Sequence, residues 1–104
     1  MNISIINTQA KSRSAEIAAE GDLIVRDSIE IREQLLNVLD NYQNIEIHFK
    51  NIERIDITAL QLLVALSKEA VKQEKLVKYT FEETEYISAI LNNSGFNKFL
   101  LPDN

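Results

Sequence analysis

A chain of 104 residues with 45% apolar content suffices for one small domain built around a single core, and it leaves no room for a second. Its net charge of −5 gives an acidic surface without the basic stripe that phosphate backbones or anionic lipid would require, so nucleic acid is not an expected partner. The absence of cysteine removes disulfides, thiolate chemistry and the usual structural zinc sites, and two glycines (Gly21, Gly95) with one proline (Pro102) supply neither a Gly-rich phosphate loop nor a flexible linker.

Met1 to Lys11 shows no basic opening followed by a long apolar run, so neither a signal peptide nor an anchor is expected. The longest apolar run, Leu62 to Leu66, falls far short of the roughly 20 residues a bilayer needs; no membrane insertion and a cytoplasmic location are the expectations. Ile3 and Ile5 alternate with polar neighbours and read as a first, edge strand, and Ala15, Ile17 and Ala19 mark a second that ends at Gly21. Leu23, Ile24 and Val25 form an apolar patch in an extended link. Asp27, with Glu30 three residues on, makes a capping pair for a helix to about Asn41 whose buried face is Ile31, Leu35, Val38 and Leu39.

Asn44 to Lys50 is the clearest strand, with Ile45, Ile47 and Phe49 pointing one way and Glu46, His48 and Lys50 the other. After a loop that buries Ile52 and Ile55, a helix is predicted from about Thr58 to about Glu74, its charges gathered in the later turns. Leu76 to Phe81 is a further strand, with Val77, Tyr79 and Phe81 on one face. Thr80 and Glu83 then form a second capping box, opening a helix through Tyr86, Ile87, Ile90 and Leu91 that stops at Asn93-Ser94-Gly95. This alternation predicts an α/β fold: a mixed, mostly parallel sheet of 4–5 strands with about three helices packed on it, a single domain over residues 1–104.

No residue set supports catalysis, and neither a metal nor a cofactor is expected. His48 is the only histidine and has no second histidine or cysteine to make a metal set or a nucleophile pair. Glu82, Glu83 and Glu85 suit the dipole of the last helix start. An aspartate after a strand also invites comparison with a phosphate-accepting receiver domain. That chemistry needs further carboxylates after the first strand, where this chain reads Thr8-Gln9-Ala10-Lys11-Ser12-Arg13.

The informative junction is Ile55 to Ala65, Ile-Asp-Ile-Thr-Ala-Leu-Gln-Leu-Leu-Val-Ala, which turns a charged loop into an apolar helix. Asp56 and Thr58 can both accept hydrogen bonds from the first helical turn, while Leu60, Leu63 and Val64 begin a stripe at helical spacing. A helix start exposes N–H groups and positive dipole, here beside apolar Ile57 and Leu60, and Asp56, Ile57, Thr58, Ala59, Leu60 and Gln61 are the expected partner-binding residues.

Gly21 after a strand, the run Ile45-Glu-Ile-His-Phe-Lys-Asn-Ile-Glu-Arg-Ile-Asp56, Thr58-Ala59-Leu60 opening a helix and Ser94-Gly95-Phe96 closing the last one resemble the STAS domain over about residues 14–100. That family is shared by anti-sigma-factor antagonists and the cytoplasmic tails of sulphate transporters. The resemblance implies a non-enzymatic interaction domain of bacterial signal transduction. Its partner would be a histidine kinase, or an anti-sigma factor or serine kinase. In kinase-regulated antagonists the phosphorylated serine or threonine directly follows the aspartate; Ile57 stands there in this chain and has no hydroxyl. Thr58 is the one hydroxyl beside it and the candidate phosphorylation site, and Ala59 replaces the family's usual glycine. The Asp-aliphatic-Thr pattern looks more like small stand-alone STAS proteins of chemotaxis-type histidine-kinase systems. The alternative is an accessory STAS subunit of an ABC-type lipid transporter, binding its ATPase. The oligomeric state is left open.

Overall fold

In the computed structural model, which describes residues 1–82 and 84–94, alternating apolar residues become strands wherever their apolar side finds a helix to face. β1 (Asn2–Gln9) and β2 (Ser14–Glu20) form an antiparallel pair; β3 (Asn44–Lys50) lies parallel to β2, and β4 (Leu76–Phe81) parallel to β3, in the order β1-β2-β3-β4. Parallel neighbours need crossovers, and α1 (Ser28–Asn41) and α2 (Ile57–Lys72) supply them; α3 (Glu85–Ser94) follows β4. This is the mixed, mostly parallel sheet with three helices that the alternation predicts.

The core is one cluster. Ile17 of β2, Ile47 and Phe49 of β3 and Tyr79 of β4 meet Ile31, Leu35 and Leu39 of α1, Leu60, Leu63 and Leu66 of α2, and Ile87 and Leu91 of α3. The helices therefore share one face of the sheet, and Glu16, Glu46, His48, Lys78 and Thr80 lie on the other. Tyr79 is wholly inside this core and donates its phenol hydrogen to the Leu63 carbonyl at 2.8 Å, while burial raises its pKa above the ordinary tyrosine value.

Several local expectations are corrected. Asp27 precedes α1 but makes no side-chain cap, because a 3-10 turn over Val25–Asp27 feeds into the helix and the N–H of Asp27 bonds to the Ile24 carbonyl instead. Val38 is only half-buried at the margin of the apolar face. α2 starts one residue earlier than predicted and ends at Lys72; Glu74 takes a φ of 59°, with Glu74 N–H to the Val71 carbonyl and Lys75 N–H to the Ala70 carbonyl, a Schellman ending without glycine. Thr80 caps no helix, since it remains in β4 with its hydroxyl on His48; Thr84 is the cap of α3, its hydroxyl accepting from the Ile87 N–H at 3.1 Å. Glu83 and the predicted stop at Gly95 lie outside the described residues.

Gly21 ends β2 with φ +109°, a left-handed backbone that side chains rarely adopt. This kink sends the chain over the end of β3, and the candidate site is built there.

Candidate functional site

At the carboxyl ends of β2 and β3 the two following loops run side by side. Leu23 forms a parallel bridge with Ile55, its N–H bonded to the Arg54 carbonyl at 2.9 Å and its own carbonyl accepting from Asp56 N–H at 3.0 Å. Asp22 clips the same loops from outside: one carboxylate oxygen accepts from the N–H groups of Glu53 and Arg54, and the other from Arg54 Nε at 2.9 Å. The side-chain hydrogen bond from Arg54 is the main reason that the Asp22 carboxyl sits below its usual pKa. Tyr86, at the start of α3, closes the group by accepting the Ile55 N–H on its hydroxyl at 3.1 Å.

Asp56 is the centre of this arrangement. Its backbone is extended (φ −121°, ψ 161°), as an N-cap requires, and Oδ1 accepts from the Ala59 N–H at 2.8 Å. Oδ2 accepts from the Val25 N–H at 2.6 Å, a charge-assisted bond across 31 positions of sequence. Both carboxylate oxygens are thus engaged within the chain, so half-buried Asp56 acts as a cap and a clasp.

The remaining predicted residues divide by helical geometry. Ile57, Thr58 and Gln61 are exposed and fall on one side of the first turn of α2. Ala59 and Leu60 are both 0% exposed, because they belong to the core-facing stripe continued by Leu63, Leu66 and Ala70; the expectation that they touch a partner is corrected, and they hold the surface from below. Thr58 is not a cap. It is the second residue of the helix, and its hydroxyl makes no hydrogen bond among the described residues. The N–H groups of Ile57 and Thr58 likewise find no partner among the described residues and point a pair of donors outward.

Three residues that the sequence reading did not place here complete the surface. Val25 is 52% exposed beside its bond to Asp56 and Tyr86 is 42% exposed beside its bond to Ile55; with Ile57 at 48% they form an apolar rim beside the helix start, and Ile29, 74% exposed, follows Val25 four positions later on α1. The signal that could have found Ile29 is an isoleucine off the buried stripe of an amphipathic helix. His48 has Glu16 and Glu46, and no second histidine or cysteine, close to it on the helix-free face, away from this site.

The comparisons with known proteins agree with this architecture. A family model described as "Mlab, STAS domain" matches residues 6–102. A search of curated proteins finds no match. Among solved structures, the unphosphorylated form of the anti-sigma factor antagonist SpoIIAA is similar at a TM-score of 0.72 and 11% identity, with 99% of this chain and 89% of that one covered. SpoIIAA in its phosphorylated form, described as a Bacillus cell fate determinant, gives a TM-score of 0.65 at 11% identity over 99% and 92% of the two chains. An anti-sigma factor antagonist from Mycobacterium paratuberculosis gives 0.72 at 14% identity over 98% and 87%. At such identities these likenesses concern the fold.

Proposed function

Because the chain belongs to the STAS domain family, we propose that it is a single interaction domain without catalysis of its own, docking a partner protein of bacterial signal transduction on the surface around Asp56. One observation carries this reading: exposed apolar Val25, Ile57 and Tyr86 flank a helix start whose first two N–H groups have no partner among the described residues. An apolar patch with directional donors at its centre suits a protein surface offering a carboxylate or carbonyl to the helix start and apolar side chains to the rim. Asp56 fixes the geometry, Ile57 contributes apolar area, and Thr58 and Gln61 supply the polar margin.

The partner is a histidine kinase, an anti-sigma factor or a serine kinase, and the surface is permanently competent. The position directly after the aspartate is Ile57, which accepts no phosphate. A phosphate on Thr58 would place about two negative charges on the first turn of α2, where the dipole tolerates them but the partner's acceptor would be repelled.

Identification of the co-purifying protein, followed by incubation with that partner and ATP and mapping of phosphosites by mass spectrometry, tests the reading. A kinase or anti-sigma factor and an unmodified chain are expected. Stoichiometric phosphate on Thr58 that releases the partner would show a switch moved by one residue. A transporter ATPase as the partner would place the same surface in lipid transport instead.

A further inference from the structure

The sheet face without helices carries a second arrangement that the docking surface does not use. Glu16 of β2 and Glu46 of β3 are direct cross-strand partners, and His48, two residues beyond Glu46 on the same face, stands opposite Ala18. One oxygen from each glutamate and one ring nitrogen of His48 all lie within 4.8 Å of one another, and the three residues are half-buried. Like charges placed directly opposite in a sheet repel. Neither glutamate forms an ion pair among the described residues, although Lys78 is the partner of Glu46 across on β4.

His48 is oriented from its other side. Its Nδ1 is 2.6 Å from the hydroxyl of Thr80, its register partner on β4. When Nδ1–H donates to that oxygen, the ring is held in place and Nε2 keeps its lone pair, as in metal sites where a neighbouring acceptor fixes the tautomer of a ligating histidine. Ala18, on the opposite flank, leaves the ring free of a bulky neighbour there.

We propose that Glu16, Glu46 and His48 form a binding site for one divalent transition-metal ion of the zinc class. Imidazole with two carboxylates is a mixed nitrogen and oxygen set that suits zinc, whereas magnesium and calcium favour oxygen alone. Three protein ligands at about 2.0–2.2 Å from zinc lie roughly 3.3 Å from one another, so the glutamates must close on the fixed imidazole by rotating about their flexible side-chain bonds. Glu16 and Glu46 also border a groove of about 310 Å³ together with Ser14, Asn44 and Lys78, which leaves room beside the two glutamates for water to complete the coordination. A bound cation also removes the repulsion between the paired glutamates.

Calorimetric titration of the chelator-treated full chain with zinc chloride tests this. One equivalent is expected to bind, with His48→Ala and Glu46→Gln each weakening affinity at least about tenfold and Thr80→Val, which frees the imidazole, weakening it by about tenfold. Circular dichroism establishes that each variant is folded, and Glu33→Gln on the exposed side of α1 should bind as wild type does. Absence of binding by the wild-type chain, several equivalents of equal affinity, or an unchanged affinity in folded His48→Ala would overturn the proposal.

Discussion

Replacing Asp56 by alanine removes two hydrogen bonds that lie on opposite sides of one carboxylate, to Ala59 N–H at 2.8 Å and Val25 N–H at 2.6 Å. Loss of an N-cap costs about 1 kcal/mol. A hydrogen bond to an ionised acceptor contributes about 1.5–3 kcal/mol when shielded, and the exposure of the Val25 contact brings that down to about 1 kcal/mol. The sum, about 2 kcal/mol, corresponds to a fall in Tm of roughly 10 °C for a domain of this size. Asp56→Asn should lose at least half as much, because the amide oxygen can keep the cap to Ala59 N–H while the amide nitrogen, itself a donor, cannot accept from Val25 N–H. Urea unfolding followed by far-UV circular dichroism measures both, and hydrogen exchange at Val25 and Ala59 should accelerate together in the alanine variant. A loss below about 0.5 kcal/mol for Asp56→Ala, within the range of ordinary surface changes, would refute the clasp.

Leu63→Ala, at a wholly buried position, should destabilise by roughly 2–5 kcal/mol in the same assay, whereas Lys72→Ala at an exposed position should change little. Burial raises the pKa of Tyr79, so its contribution to stability should be complete below the unfolded value of about 10 and be lost as pH rises toward the folded one; Tyr79→Phe should flatten that alkaline decline. The lowered pKa of Asp22 works in the other direction, adding stability above the unfolded value of about 4 that is lost as pH falls through the folded one, and Asp22→Asn should flatten the acid limb.

The strands were the most legible part of the chain. β3 and β4 fall on their predicted limits because strict alternation leaves one side apolar, and a strand with a single buried face has little freedom of register. Caps were read less well. Asp27-Glu30 and Thr80-Glu83 both have capping spacing, yet a 3-10 turn serves the first helix start, and strand pairing holds Thr80 while Thr84 takes the role. Asp56 was legible as a residue of interest, but its bond to Val25 depends on a loop folded back across 31 positions, which local spacing cannot show. The same limit hid the meeting of Glu16 with Glu46. Each was visible on the polar side of its strand, but their adjacency requires knowing that β2 and β3 are parallel neighbours in that register. Ala59 and Leu60 show a different limit, since a sequence position at a helix start does not say which residues face outward until the direction of the core is known.

The central claim is that the partner docks on the rim around the start of α2. Its most direct test is the affinity of the purified partner for folded Val25→Glu and Ile57→Glu, each placing a charge in the exposed apolar rim, beside Lys78→Glu on the helix-free sheet face. Both rim variants are expected to bind at least about tenfold more weakly than wild type, as loss of an apolar contact and desolvation of a charge at an interface require, while Lys78→Glu binds as wild type does. Undiminished binding by both rim variants, or a loss confined to Lys78→Glu, would contradict the claim.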